Sequence, residues 1–235
     1  MGNQMRGCIE HIAFPVPRQS YDINHENFFL VKDVPCMMYK AYSKNVILYS
    51  HNNIFDIGNT HDLLQHLSKE LNVNIISYDY PGYGVSYNPK LRISSELGCI
   101  EFINKVFQFL ITEGFLEKNI ILYGVSIGTG PTVDIASRVH NLKGVLLQSP
   151  FTSSIGIVSE TIECIFDSIF FEILTRLIVL SLQLLFYTEH KIPISHSENL
   201  VKKNPKIKLV KIENVAHNNI KYDVIFKHLH ELINN

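Results

Sequence analysis

Short apolar runs alternate along this chain with longer stretches whose apolar residues recur at helical spacing. Residues 46–49, 73–78, 120–123, 143–148 and 207–212 are compact runs rich in Val, Ile, Leu and Tyr, the pattern of strands buried on both faces. Between them, residues 62–71 bring Leu63, Leu64, Leu67 and Leu71 onto one side behind a Thr60 cap. Residues 95–113 line up Leu97, Ile100, Ile103, Val106, Phe107 and Leu110 until Gly114 stops the helix, and residues 131–140 repeat the spacing with Val133, Ala136 and Val139. A terminal helix is predicted to run to Ile233. Strand and helix in alternation predict an α/β fold, a mostly parallel sheet with helices on both faces.

Two stretches depart from the alternation. Residues 1–40 read as an N-terminal extension with the first edge strands: Phe14-Pro15-Val16-Pro17 is expected to be extended, and residues 34–42 to form an edge strand. The second domain segment, 41–235, contains an apolar stretch at 155–187, most continuous from Phe170 to Tyr187 and broken there by Glu172 and Arg176. Its uncharged part, from Leu177 to Tyr187, is shorter than the roughly 20 residues a bilayer span requires. A buried or lid helix feeding a strand at 183–187 is the expectation, with a surface suited to acyl chains.

Composition narrows the function. With 235 residues, 46% of them hydrophobic, the chain is long enough for one domain with a substantial core. A net charge of -1 and no basic run longer than Lys202-Lys203 argue against nucleic acid as a partner. Cys8, Cys36, Cys99 and Cys164 are scattered, with no C-x-x-C pair, which predicts a reducing, intracellular setting, buried thiols at 99 and 164, and no metal site. The start Met1-Gly2-Asn3-Gln4-Met5-Arg6 resembles a myristoylation signal with Arg6 at the Ser/Thr position, so peripheral membrane contact through lipids on Gly2 and Cys8 is an expectation.

The chemistry centres on Gly124-Val125-Ser126-Ile127-Gly128, a G-x-S-x-G frame between a strand and a helix. Such a turn strains the serine backbone and brings its hydroxyl to the carboxyl edge of the sheet, exposed for attack. A nucleophilic serine needs a base, an acid that orients the base, and donors for the oxyanion. His217, in the loop after the last strand, has the position for the base; His61, His66, His140, His228 and His230 read as solvated faces. The amide of Ile127 supplies one oxyanion donor, and the loop Ser50-His51-Asn52-Asn53 the other through Asn52 or Asn53, where Asn52 would tolerate a positive φ.

Ser50-His51-Asn52-Asn53, Tyr78-Asp79-Tyr80-Pro81-Gly82-Tyr83-Gly84, Leu122-Tyr123-Gly124-Val125-Ser126-Ile127-Gly128 and Ala216-His217-Asn218 resemble blocks of the α/β-hydrolase-domain serine hydrolases related to the protein depalmitoylases of the cytosolic membrane face. The resemblance covers most of residues 10–150 and 187–233. It implies an α/β-hydrolase fold and hydrolysis of thioesters or esters of long-chain acyl groups on protein or lipid, with Ser126 as nucleophile, His217 as base and no cofactor. That family carries His-Gly-Asn where this chain has His51-Asn52-Asn53, and a more polar segment in place of 170–187. At the acid position the chain reads Thr188-Glu189-His190-Lys191, so that Glu189 or His190 occupies it depending on the direction of counting. Glu189 completes a triad; His190 would leave a hydrolase-fold protein that binds acyl groups or protein with impaired turnover.

Overall fold

The computed structural model describes residues 14–87, 94–149, 184–187, 208–209 and 222–234, of which 184–187 and 208–209 are described as backbone only. Its strands are β1 (Phe28–Val31), β2 (Val34–Tyr39), β3 (Val46–Ser50), β4 (Asn74–Tyr78), β5 (Ile120–Val125), β6 (Gly144–Gln148), β7 (Leu184–Tyr187) and β8 (Lys208–Leu209). They form one sheet in the order β1-β2-β4-β3-β5-β6-β7-β8. The pairs β1–β2 and β2–β4 are antiparallel, and from β4 to β8 all pairs are parallel. The helices are α1 (His61–Leu71), α2 (Glu96–Thr112), α3 (Thr129–Arg138) and α4 (Tyr222–Asn234).

The apolar strands divide their side chains by parity. Val46, Leu48, Ile76, Leu122, Val145 and Leu147 pack with α2 and α3 residues such as Ile103, Val106, Leu110 and Val133. Ile47, Tyr49, Ile75, Ile121, Tyr123 and Leu146 pack with Leu64, Leu67 and Leu71 of α1 and Ile225, Leu229 and Leu232 of α4. Alternate residues of a strand face opposite sides, so both faces of the central strands β3 to β6 are covered. Each fully buried Leu of α1 contributes roughly 2 kcal/mol of transfer free energy, which fixes the helix against its face of the sheet.

Several local expectations are corrected. The 34–42 run is not the edge; β1 pairs outside it, using Phe28 and Phe29, whose partly buried rings pack on the two cores. Val16 does not extend before Pro17 but adopts φ 44. Thr60 stands at the start of α1 without capping it, because its hydroxyl donates to Ile57 O at 3.0 Å instead. Ser95, by contrast, accepts the Gly98 N–H and starts α2. Leu97, predicted on the buried stripe of α2, is exposed, and Cys99 takes its place in the core. His228, expected on a solvated face, is buried, 3.1 Å from Glu231. The predicted strand at 207–212 is described only as Lys208–Leu209, and the 155–183 stretch lies outside the described residues.

Parallel pairing from β4 to β8 has a functional consequence. The carboxyl ends of β3, β5, β6, β7 and β8 all reach the same edge, which is where an open α/β sheet binds its ligands.

Candidate active site

At the carboxyl end of β5 the chain turns through Ser126–Gly128 directly into α3. Ser126 has φ 52, a left-handed conformation that costs a residue with a Cβ about 1–2 kcal/mol. The Thr129 hydroxyl donates to Ser126 O at 2.6 Å, and that of Thr132 to Gly128 O at 2.8 Å, which lock the turn.

The two glycines of the frame are required for different reasons. A Cβ on Gly124 would stand 2.6 Å from Thr132 Oγ1 and 2.7 Å from Gly128 O, inside the turn. A Cβ on Gly128 would stand 2.7 Å from His51 O and closer still to Ser50 O. Gly128 is therefore where the turn meets the loop after β3. These contacts wrap the turn closely, and Ser126 keeps only 7% of its accessible surface, where the sequence predicted an exposed hydroxyl.

The loop of residues 50–53 is pinned from below by tyrosines of the segment after β4. Tyr80 donates its hydroxyl to His51 O, and Tyr83 donates to Asn53 O at 2.9 Å. Ser50 Oγ lies 2.9 Å from the Tyr78 hydroxyl. Asn52 was expected to need a positive φ and does not adopt one, so the side chain that replaces glycine causes no left-handed strain. Its Oδ1 accepts the Ile54 N–H at 3.1 Å, an Asx turn that a glycine could not make.

Beneath this loop lies a polar cluster that the sequence reading passed over. His51 is fully buried between the rings of Tyr80 and Tyr83, at centroid distances of 4.2 and 5.7 Å. Its Nδ1 is 2.7 Å from Asn52 O, and burial lowers its pKa to about 4, so the ring is neutral. Asp79, at the end of β4, is also fully buried, and burial raises its carboxyl to about 8. It accepts the Tyr21 hydroxyl at 2.6 Å and the Ile57 N–H at 2.9 Å. Asp56 collects the Ser20, Gly58 and Asn59 N–H groups and the Ser20 hydroxyl. The available signal was an acidic residue directly after a fully buried central strand: such a carboxyl is buried by its neighbours and must find donors.

The low pKa of His51 makes its own contribution to stability acid-sensitive. Between about 4 and the ordinary 6.5 the unfolded chain binds a proton on this side chain that the folded protein does not. The contribution of this side chain is thus complete above pH 6.5 and is lost as pH falls toward 4. The raised carboxyl of Asp79 acts in the opposite sense over this range, so the His51 contribution is read as a difference: from pH 7 to pH 5 the wild type should lose urea midpoint relative to His51→Gln.

Of the predicted site residues, Ser126 and Ile127 lie in the β5–α3 turn and Asn52 and Asn53 in the loop after β3, and the two segments touch where Gly128 approaches Ser50 and His51. His217, Glu189 and its alternative His190, and the lipid acceptors Gly2 and Cys8, lie outside the described residues. Among the described residues no group of three or more His, Cys, Asp or Glu is arranged to hold a metal ion. No helix among them is long and apolar enough to cross a membrane.

No protein-family model matches the chain. It is 31% identical over 159 residues to an alpha/beta hydrolase of Acanthamoeba polyphaga mimivirus, a match covering 62% of this chain and 59% of the viral protein. It is 42% identical over 116 residues to alpha/beta hydrolase domain-containing protein 17C of Mus musculus, covering 49% of this chain and 35% of the mouse protein. The matched segments thus span about a third to three-fifths of these relatives. Among solved structures, Est1E from Butyrivibrio proteoclasticus with ferulic acid bound superposes with a TM-score of 0.69 at 15% identity, covering 88% of this chain and 97% of that one. The architecture, strand order and turn of this chain are those of the α/β-hydrolase fold.

Proposed function

We propose that this chain is a serine hydrolase that cleaves acyl thioesters or esters, with fatty-acylated protein or lipid as its substrate class. The observation that carries the reading is the left-handed backbone of Ser126, held at the carboxyl edge of the sheet against the loop of residues 50–53. A strained serine in a turn that abuts a second loop is the geometry in which an attacking hydroxyl and an oxyanion site can coexist. Strain of this kind persists where the surrounding structure enforces it, and it concentrates at functional sites.

In this reading the Ser126 hydroxyl attacks the acyl carbonyl and His217 takes its proton. Glu189 orients His217, and the amides of Ile127 and of Asn52 or Asn53 hold the oxyanion. Supporting both partners, Glu189 follows β7 and His217 follows β8 in the chain, and both strands run parallel to β5. Their carboxyl ends therefore meet the edge that carries Ser126. The relatives named as hydrolases support the chemistry. The acyl preference rests on the resemblance to depalmitoylases and on the apolar 155–187 stretch. Lipids on Gly2 and Cys8 would bring the enzyme to the cytosolic face of a membrane.

Fluorophosphonate labelling at neutral pH tests the reading on the wild type and on Ser126→Ala, His217→Ala, Glu189→Gln and His190→Ala. Labelling should vanish in the first two variants, weaken in Glu189→Gln and persist in His190→Ala. Loss in His190→Ala with an unaffected Glu189→Gln would move the acid register. An unlabelled wild type would replace the enzyme with an acyl- or protein-binding member of the same fold.

A further inference from the structure

The buried cluster under the β3 loop contains a proton-accounting problem. His51 Nδ1 faces the carbonyl oxygen of Asn52 at 2.7 Å. A carbonyl can only accept, so Nδ1 carries the ring proton. Nε2 is then a bare lone pair, fully buried and without a hydrogen-bond partner, 3.7 Å from Asp79 Oδ1. Two acceptors facing each other in a dry site are unfavourable unless one of them bears a proton.

We infer that Asp79 is protonated at neutral pH and faces the bare Nε2 of His51, and that this neutral pair positions the peptide between Asn52 and Asn53. Burial, and the neighbouring Asp56, favour the protonated form of Asp79 against the hydrogen bonds from the Tyr21 hydroxyl and the Ile57 N–H, which favour the carboxylate. The groups that face it are Tyr21 before β1, Cys36 on β2, Asp56 in the loop after β3, Tyr83 after β4, and His51 itself. Among the described residues no Lys or Arg pairs with it.

The geometry ties the proton to the loop. In a planar trans peptide the C=O of Asn52 and the N–H of Asn53 point in opposite directions. The His51 Nδ1–H that draws the carbonyl inward therefore aims the Asn53 N–H away from the cluster. When Asp79 loses its proton to solvent, the carboxylate favours the Nε2–H tautomer of His51, because that hydrogen then meets an anion. The single ring proton leaves Nδ1, whose lone pair now faces the Asn52 oxygen. The attraction that fixed the peptide becomes a repulsion. The consequence for rate rests on the hydrolase reading; the tautomer change does not.

Nitrogen-15 NMR of histidine-labelled full-length protein from pH 6 to 10 reads the tautomer, with His51 identified by its absence from His51→Gln. The wild type should pass from Nδ1–H to Nε2–H with a midpoint near 8. Asp79→Asn, which has no proton to lose, should keep a single His51 tautomer throughout. Tyr21→Phe removes a hydrogen bond that favours the carboxylate and should move the midpoint upward, a response that a purely structural tyrosine would not give. Hydrolysis of p-nitrophenyl octanoate by the same samples, counted only where Ser126→Ala removes it, should fall about tenfold above that midpoint in the wild type and not in Asp79→Asn. A His51 tautomer unchanged to pH 10, or a midpoint unmoved in Tyr21→Phe, overturns the proton pair. A tautomer change with a flat alkaline rate overturns its positioning role. Absence of Ser126-dependent turnover defeats the hydrolase reading alone, and the NMR result still decides the pair.

Discussion

Ser126→Gly is expected to make the protein more stable than Ser126→Ala while both lose turnover. With φ 52, position 126 holds any residue with a Cβ in a conformation that costs about 1–2 kcal/mol. Alanine keeps that cost and glycine removes it. Glycine returns part of the gain through the greater freedom it gives the unfolded chain, about 0.5–1 kcal/mol. The net difference, about 1 kcal/mol, corresponds to roughly 2–4 °C in Tm for a domain of this size. Under the proposed mechanism, removing the Ser126 hydroxyl should lower kcat on an activated ester by about 10⁵–10⁶-fold in both variants, the scale of nucleophile loss in serine hydrolases. Calorimetry and the ester assay together read the result. If Ser126→Ala melts at or above Ser126→Gly, the turn is relaxed and the serine carries no strain.

Much of this fold was legible because the sheet is buried on both faces. Every central strand reads as an apolar run, and the helices between them carry clear apolar stripes, so Val46–Ser50, Ile120–Val125 and Gly144–Gln148 fall within two residues of their predicted bounds. The G-x-S-x-G frame foretold the β5–α3 turn, since few other sequences allow so abrupt a change from strand to helix. What escaped the reading depended on contacts across the chain. Thr60 has the right identity for a cap, yet a carbonyl three residues back competes for its hydroxyl. The edge strand β1 is four residues long, too short for its alternation to stand out. Asn52 raised a concern about backbone strain that depends on the φ of one residue, and sequence cannot report that angle. The His51–Asp79 cluster joins residues 28 positions apart, with Tyr21 a further 30 before His51, so no local pattern announces it.

The largest effect away from the nucleophile is expected for Gly128→Ala. Here the backbone is not the obstacle: Gly128 has φ -64, a value alanine adopts freely. The obstacle is contact, because the new Cβ would stand 2.7 Å from His51 O and nearer to Ser50 O. Both atoms are main chain at the end of a central strand, so no side-chain rotation relieves the clash. The turn and the β3 loop must separate, which in the proposed mechanism parts the Ile127 amide from that of Asn52 or Asn53. Forced overpacking of this kind costs about 2–3 kcal/mol, and loss of one oxyanion donor lowers kcat by about 10²–10³-fold. Gly114→Ala provides the contrast. Gly114 has φ 91 and nothing within 4 Å of its would-be Cβ, so alanine there strains the backbone without moving a neighbour. Its cost of about 1–2 kcal/mol should appear in the urea midpoint and leave kcat unchanged. A Gly128→Ala protein that folds and keeps wild-type kcat would mean that the contact between turn and loop does not form the oxyanion site, and that the second donor must come from elsewhere in the chain.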